Sequence, residues 1–182
     1  MNIVETPIEG LLIIEPKVWK DDRGYFFESY NQDAFKKAGI NLNFVQDNQS
    51  YSHKNALRGL HAQAPPFAQG KLVRVVQGKV LDVAVDIRKN STTYGQHFTI
   101  ELSGENNKMF YVPPGFLHGF ITLENETIFS YKCTGLFDKN AELGAMWNDK
   151  DLGIDWGIDV KDALVSAKDQ ILPSFASLNS PF

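Results

Sequence analysis

Two histidines lie in segments whose residue types suit acid–base chemistry. Arg58 precedes His61 by three residues, and Lys71 follows it by ten. An imidazole accepts a proton near neutral pH, and a fixed ammonium stabilises the negative charge that proton removal leaves behind. A second histidine, His118, lies in the segment Pro113–Gly119. The chain therefore carries the parts of a proton-transfer site.

Composition narrows the classes of protein and partner. The chain has 182 residues, a net charge of −4 and a pI of about 5.5, which argues against nucleic acid or an anionic membrane as partner. The single cysteine, Cys133, excludes an internal disulfide and suits a reducing compartment. We see neither a signal peptide nor an apolar run approaching the roughly 20 residues of a membrane span. We therefore expect one cytoplasmic domain over residues 1–182.

The pattern of short apolar runs predicts an all-β fold. Runs rich in β-branched and aromatic residues, separated by Gly, Asn, Ser and Pro, predict seven strands: Leu11–Glu15, Gly24–Tyr30, Leu72–Val76, Val80–Ile87, Phe98–Leu102, Met109–Val112 and Thr127–Cys133. A jelly roll accounts for this pattern. One helix is predicted over Gln32–Ala38, with Asn31 as N-cap and Gly39 after its end. From about residue 141 we expect an irregular segment of turns with one short helix.

Nine segments, in order along the chain, are similar to one enzyme family. They are Asp22–Ser29, Phe44–Asn48, Leu57–His61, Ala68–Arg74, Asp82–Arg88, Pro114–Phe120, Tyr131–Thr134, Trp147–Asp149 and Ile154–Trp156. The ordered set, spanning about residues 3–169, resembles the dTDP-4-dehydrorhamnose 3,5-epimerase family. The resemblance implies a cupin-type jelly roll, a homodimer, and an epimerase without metal or cofactor. Its substrate is a dTDP-linked 4-keto sugar on the route to dTDP-L-rhamnose.

The chemistry of such a substrate gives the matching residues their implied roles. The C3–H and C5–H bonds lie next to the C4 ketone, so removal of either proton gives an enolate. Inversion needs a base on one face, an acid on the other, and a cation near the C4 oxygen. The resemblance implies that His61 is the base, oriented by Asp169. It implies that Lys71 stabilises the enolate and that the Tyr131 phenol, protonated at pH 7, donates the returning proton.

The resemblance also implies contacts to the nucleotide sugar. The matching residues are Arg23, Glu28, Gln46, Asp47, Asn48, Arg58, His118, Phe137, Glu142 and Lys168. The cations among them suit the diphosphate, since an arginine fork can hold phosphate oxygens with two bonds. Phe137 falls where the family stacks an aromatic ring on thymine, and Asp82 is a candidate to orient His118. Two positions depart from the family: Ala62 replaces an aromatic residue, and Leu136-Phe137 replaces paired tyrosines.

Each of these residues also has an ordinary structural interpretation. A lysine in a strand normally points to solvent, and a buried tyrosine usually serves packing and one hydrogen bond. The spacing of Ser166 and Asp169 fits a capping box, in which Asp169 would cap a helix. The family motif favours the catalytic interpretation.

Three functional alternatives remain open. The first is a metal-dependent oxygenase or isomerase, because Pro113-x-Gly115-x-x-His118 resembles half of a metal-binding cupin motif. Such a site also needs a His-x-His pair, and here Gln63 stands two residues after His61 in place of the second histidine. A non-catalytic cupin that only binds a sugar nucleotide is the second alternative. The third is an epimerase of another deoxysugar pathway that inverts C3 or C5 alone, because the same base and donor would serve it.

Overall fold

The computed structural model describes residues 1–182 and contains fourteen strands and one α-helix. The strands are β1 (Asn2–Glu5), β2 (Leu12–Glu15), β3 (Trp19–Asp21), β4 (Gly24–Phe26), β5 (Gln46–Ser52), β6 (Ala56–Gln63), β7 (Lys71–Gln77), β8 (Lys79–Asp86), β9 (His97–Ser103), β10 (Met109–Val112), β11 (Phe116–Thr122), β12 (Thr127–Cys133), β13 (Glu142–Gly144) and β14 (Leu164–Val165). The helix α1 spans Gln32–Lys37. Single 3₁₀ turns lie at Lys139–Ala141, Val160–Asp162, Asp169–Ile171 and Phe175–Ser177.

The strands form two larger sheets and one separate hairpin. The first sheet has the order β1-β2-β10-β7-β12-β5, and the second has the order β13-β6-β11-β8-β9. Neighbours along both sheets are antiparallel, while the short β14 runs parallel beside β6. Strands β3 and β4 pair only with each other. The predicted all-β fold, a cupin-type jelly roll with short peripheral helices, is confirmed.

Each of the two larger sheets buries apolar side chains on both its inner and its outer face. Between them lies a cluster that includes Val73, Phe110 and Phe129, with Phe120 stacked on Phe129 at 4.0 Å between ring centroids. The outer face of the second sheet is covered by the C-terminal segment, which contributes Trp147 and Trp156. Burial on two faces explains why strands such as β8 read as nearly continuous apolar sequence.

The predicted helix and the C-terminal segment need small corrections. The Asn31 side chain accepts the Ala34 N–H at 3.1 Å and caps α1 as predicted, but the helix ends at Lys37, one residue early. The predicted strand Gly24–Tyr30 stops at Phe26, before the chain turns into the cap of α1. After residue 141 the chain forms three 3₁₀ turns and two short strands instead of one helix.

Several strands that position the site were not predicted. Strand β5 reads as polar because its inward side chains face a cavity, and β6 is interrupted by Gly59. Strand β11 begins directly after the Pro113-Pro114-Gly115 turn. The one α-helix has six residues, and no helix has the length and hydrophobicity that crossing a membrane requires.

Candidate active site

A cavity of about 550 Å³ opens between the two sheets, and its two walls come from different sheets. Lys71 on β7 and Tyr131 on β12 line it from the first sheet. His61 on β6 and His118 on β11 line it from the second. An adjoining cavity of about 280 Å³ shares His61, Lys71, Tyr131 and Asn48 with it. The volume suits a ligand larger than a single sugar.

A bulge in β6 brings Arg58 and His61 into the same cavity. His61 pairs with His118 and Arg58 with Phe120, so β6 advances three residues while β11 advances two. Residues three apart in a regular strand point to opposite faces, and one extra residue restores a common face. Gly59 occupies the bulge with φ +127°, and a Cβ there would lie 2.5 Å from the Gly119 Cα. The bulge therefore requires glycine.

His61 is held by a buried carboxylate. Its Nε2 lies 2.7 Å from Asp169 Oδ1, and Asp169 is 4% exposed. Burial alone would raise the pKa of Asp169, but hydrogen bonds from His61, the Gly59 amide and Ser166 lower the pKa below its ordinary value. The ionised Asp169 thus keeps the proton on Nε2, which leaves the Nδ1 lone pair free to accept one. The Asp169 N–H also donates to the Ser166 hydroxyl at 3.1 Å, the bond that the capping-box spacing predicts, while the carboxylate of Asp169 is bonded to His61.

An ion pair lies beside the free nitrogen of His61. Glu142 begins β13 and pairs in register with Gln63, two residues after His61 on β6. Its Oε1 is 4.0 Å from His61 Nδ1 and 2.5 Å from the Lys168 ammonium. Lys168 is half-exposed at the cavity wall. The ion pair places the Lys168 ammonium at the cavity wall, and the charges of Lys168 and Glu142 balance each other.

Lys71 points inward, against the usual preference of a strand lysine. It lies two residues before Val73 on β7 and so shares the face of Val73, whose side chain lies in the core between the sheets. Burial lowers the pKa of Lys71, while Cys133, Asp82 and Glu142 act in the opposite direction. A lowered pKa makes the ammonium a stronger acid, so it can both attract and hydrogen-bond an oxyanion in the cavity.

Tyr131 faces the cavity from the wall opposite His61. Burial raises the pKa of its phenol above the ordinary value of 10, with Cys133 adding to the rise and Arg58 opposing it. The hydroxyl therefore stays protonated at neutral pH. Burial likewise raises the pKa of Cys133, whose thiol accepts a hydrogen bond from Asn48 Nδ2 at 3.6 Å. The arrangement puts a base and a protonated acid on opposite sides of one cavity.

His118 forms a second buried pair with Asp82. The His118 Nε2 lies 2.9 and 3.1 Å from the two carboxylate oxygens of Asp82. Burial raises the pKa of Asp82, although His118 and Lys71 act to lower it. The pair fixes the imidazole of His118 as part of the cavity wall. No group of three or more His, Cys, Asp or Glu residues is arranged to hold a metal ion.

The other predicted contacts divide into those inside and those outside the cavities. Asn48, Arg58 and Lys168 line the larger cavity, and Gln46, Phe137 and Glu142 line the adjoining one. Ala62 also lines the adjoining cavity and is buried, whereas Leu136 is exposed.

Arg23, Glu28 and Asp47 do not line either cavity of their own chain. The Arg23 side chain lies on the β3–β4 hairpin, is 90% exposed and pairs with Asp21. Asp47 alternates with its neighbours on β5, so it faces away and pairs with Lys132 at 2.9 Å.

Sequence reasoning missed part of the lining. The additional residues include Ser50, Phe120, Phe129, Leu164 and Ser166. Alternation on β5 was a usable signal for one of them, because Ser50 must share the face of Asn48. The same alternation places Phe129 on the face of Tyr131 and Phe120 on the face of His118. No local signal marks Leu164 or Ser166 as a cavity residue.

The amino-acid sequence is matched by known proteins over nearly the whole chain. A family model for dTDP-4-dehydrorhamnose 3,5-epimerase matches residues 5–177. The dTDP-4-dehydrorhamnose 3,5-epimerase of Shigella flexneri is 50% identical over 170 residues, which cover 93% of this chain and 93% of that protein.

Two solved structures are similar in fold and in sequence. The dTDP-4-dehydrorhamnose 3,5-epimerase of Elizabethkingia anophelis has a TM-score of 0.94 and 49% identity, and the match covers 99% of both chains. An epimerase of Legionella pneumophila in complex with dTDP-4-keto-L-rhamnose has a TM-score of 0.93 and 44% identity. That match covers 98% of this chain and 94% of the other. The chain therefore belongs to the dTDP-4-dehydrorhamnose 3,5-epimerase family.

Proposed function

We propose that this protein inverts C3 and C5 of dTDP-4-dehydro-6-deoxy-D-glucose, giving dTDP-4-dehydro-L-rhamnose for dTDP-L-rhamnose biosynthesis. One observation carries the proposal: the His61–Asp169 pair and the Tyr131 phenol lie on opposite walls of a cavity that also holds the Lys71 ammonium. Inversion of a carbon next to a ketone requires that combination. The similar Legionella structure, solved with dTDP-4-keto-L-rhamnose, supports the substrate class.

The reaction begins when the C–H bond next to the ketone breaks. The proton passes to His61 Nδ1, and the electron pair moves to the C4 oxygen as an enolate. Lys71 stabilises that oxyanion, and Asp169 stabilises the imidazolium that forms. The Tyr131 hydroxyl then gives its proton to the opposite face of the carbon, which restores the ketone with inverted configuration. Before the second carbon reacts, His61 releases its proton to solvent and the Tyr131 phenolate takes one from solvent. The same sequence at the second carbon then completes the product.

The nucleotide is held by groups outside the reacting centre. Besides Lys71, the cations that face the cavity are Arg58 and Lys168, and these two bind the diphosphate. Phe137, 53% exposed beside the adjoining cavity, stacks on the thymine ring. His118, fixed by Asp82, contacts the sugar. The reaction needs no metal or cofactor.

The protein works as a cytoplasmic homodimer of single-domain subunits. Three large side chains of the β3–β4 hairpin, Trp19, Tyr25 and Phe26, are exposed to solvent in the isolated chain. A soluble protein rarely leaves such an aromatic patch uncovered. Arg23 lies on the same hairpin and Glu28 follows it, and neither reaches the cavity of its own chain. Docking of the hairpin on a second subunit would cover the aromatics and deliver both charges to the partner's cavity.

Product analysis in D₂O tests the proposed reaction. Incubation with dTDP-4-keto-6-deoxyglucose should give deuterium at C3 and C5 and the L-rhamno configuration by NMR. Deuterium and inversion at one carbon alone would identify a single-centre epimerase instead. Nucleotide binding without deuterium uptake would identify a non-catalytic sugar-nucleotide-binding protein.

A further inference from the structure

The segment that carries Phe137 is not held by a β-ladder. Residues 135–138 lie between β12 and the 3₁₀ turn that begins at Lys139. No backbone–backbone hydrogen bond joins them to a distant part of the chain; the nearest such anchors are at Thr134 and Ala141. The ring of Phe137 is itself half-exposed, so packing does not fix it. Other groups must hold the segment in place.

Three glutamine side chains make those connections, and they come from β5, β6 and the loop before β7. The three bonds join Gln69 Nε2 to the Gly135 carbonyl at 2.7 Å, the Phe137 N–H to Gln46 Oε1 at 3.1 Å, and the Asp138 N–H to Gln63 Oε1 at 2.9 Å. Both sheets thus support one short segment through side-chain amides. Each bond spans at least 66 residues of sequence.

Burial makes these contacts hard to replace. Gln63 is 4% exposed and Gln69 is 9% exposed, so an amide that lost its partner would lack water to replace it. Gln46 is fixed from its other end as well, because its Nε2 donates to Asn48 Oδ1 at 3.1 Å. A Cβ on Gly135 would lie 3.0 Å from the Ala68 carbonyl oxygen, which shows how closely the segment packs on that loop.

We propose that Gln46, Gln63 and Gln69 are positioning residues that hold the Phe137 ring ready for the nucleotide base. The inference rests on the proposed function, in which Phe137 stacks on thymine. A segment ordered before binding loses little conformational freedom when the nucleotide arrives, so more of the stacking energy appears as affinity. Gln63 and Gln69 act through Phe137 and require no contact with the nucleotide.

A double-mutant cycle with dTDP as probe separates this role from direct binding. Phe137→Ala alone should weaken dTDP binding by about ten- to a hundredfold, as expected for the loss of one base–aromatic stack. Gln63→Met, which removes the acceptor but keeps a similar shape, should weaken it about two- to tenfold. In the Phe137→Ala background, Gln63→Met should have no further effect, because residues acting through one contact are not additive.

Two further arms keep the test independent of one variant. Gln69→Met should repeat the cycle from the other end of the segment, and hydrogen exchange of the Asp138 amide should accelerate in Gln63→Met before any nucleotide is added. Gln77→Met is the matched control: this glutamine is exposed at the end of β7, and its loss should leave dTDP affinity unchanged.

The affinities of these variants for dTDP distinguish a positioning role from direct contact with the nucleotide and from no role in binding. An equal loss of affinity from Gln63→Met with and without Phe137 would overturn the positioning role and indicate direct contact. Unchanged affinity in both Gln63→Met and Gln69→Met would also overturn it. Unchanged affinity in Phe137→Ala would remove the stacking and the positioning role together. The epimerase proposal would survive all of these results if the unsubstituted protein still exchanges and inverts in D₂O.

Discussion

His61, Lys71 and Tyr131 make separable contributions, and D₂O can distinguish them. His61→Asn should abolish both deuterium exchange and inversion, a loss of at least about 10²–10⁴-fold, because no enolate forms. Tyr131→Phe should lose inversion while exchange continues, since His61 still forms the enolate and deuterium returns from its own face. Lys71→Ala should depress exchange and inversion together, because the oxyanion loses its counter-charge.

The measurement is an NMR time course on each variant after its native fold has been checked by circular dichroism. His53→Asn is the control, because His53 is exposed and lines neither cavity. Substantial inversion by His61→Asn would exclude it as the base.

Asp169 acts on the reaction through the ring of His61. Asp169→Asn should lower kcat by at least about a hundredfold, because the amide no longer selects the tautomer with a free Nδ1. KM should change little, because Asp169 is bonded to His61, while Arg58 and Lys168 bind the diphosphate. Steady-state kinetics of the folded variant test this split. A variant with normal kcat would mean that His61 is oriented without the carboxylate.

At the scale of elements, the bulge in β6 decides whether the site assembles. Gly59→Ala should lower the free energy of unfolding by about 2–6 kcal/mol, the sum of backbone strain and a clash of about 1–3 kcal/mol each. Gly39→Ala is the matched control: its φ is +87°, but a Cβ there has no neighbour within 4 Å. Urea unfolding should show a larger loss of unfolding free energy for Gly59→Ala than for Gly39→Ala. Equal losses would exclude the clash with Gly119.

A buried network at the end of β8 connects the fold to pH. Burial alone would raise the pKa of Asp86, but hydrogen bonds from Arg88, Ser91 and Thr93 outweigh it and lower the pKa from 3.8 to about 2. The depressed pKa contributes about 2 kcal/mol of stability above pH 4, which is lost as the pH falls from 3.8 towards 2.

Urea unfolding between pH 6 and pH 2.5 tests this contribution. Asp86→Asn should be about 2 kcal/mol less stable than the unsubstituted protein at pH 6, and the difference should shrink below pH 4. Asp151→Asn, at an exposed position, should show no such pH-dependent difference. A difference for Asp86→Asn that stays constant with pH would exclude ionisation of Asp86 as its source.

For the whole molecule, the aromatic hairpin makes the association state testable. Light scattering should give about twice the chain mass of 20.5 kDa. In the proposed dimer, Phe26→Asp should shift the protein towards monomer and lower its activity, because a charge replaces an apolar contact and Arg23 and Glu28 leave the partner's cavity. Val160→Asp, at another exposed apolar position, should remain dimeric. A fully active monomer of the unsubstituted protein would contradict the dimer.

The sequence by itself determined the properties that depend on near neighbours. Alternation and turn residues predicted the all-β class and most core strands, because a strand needs only two-residue periodicity and a break. The cap at Asn31 was predictable because its partner, Ala34, is three residues away. The candidate acid–base residues were named from the ordered motifs that resemble one family, and not from local periodicity.

Only the tertiary structure decided which of those residues meet. His61 and Asp169 are 108 residues apart, and their contact depends on the path of the C-terminal segment over the second sheet. Lys71 points inward because of its place in the two-residue alternation of side chains along β7. Arg58 and His61 share a face because β6 has one extra residue between them. Such features arise from register and packing between distant strands. No local pattern encodes them, because a one-residue shift reverses every side chain.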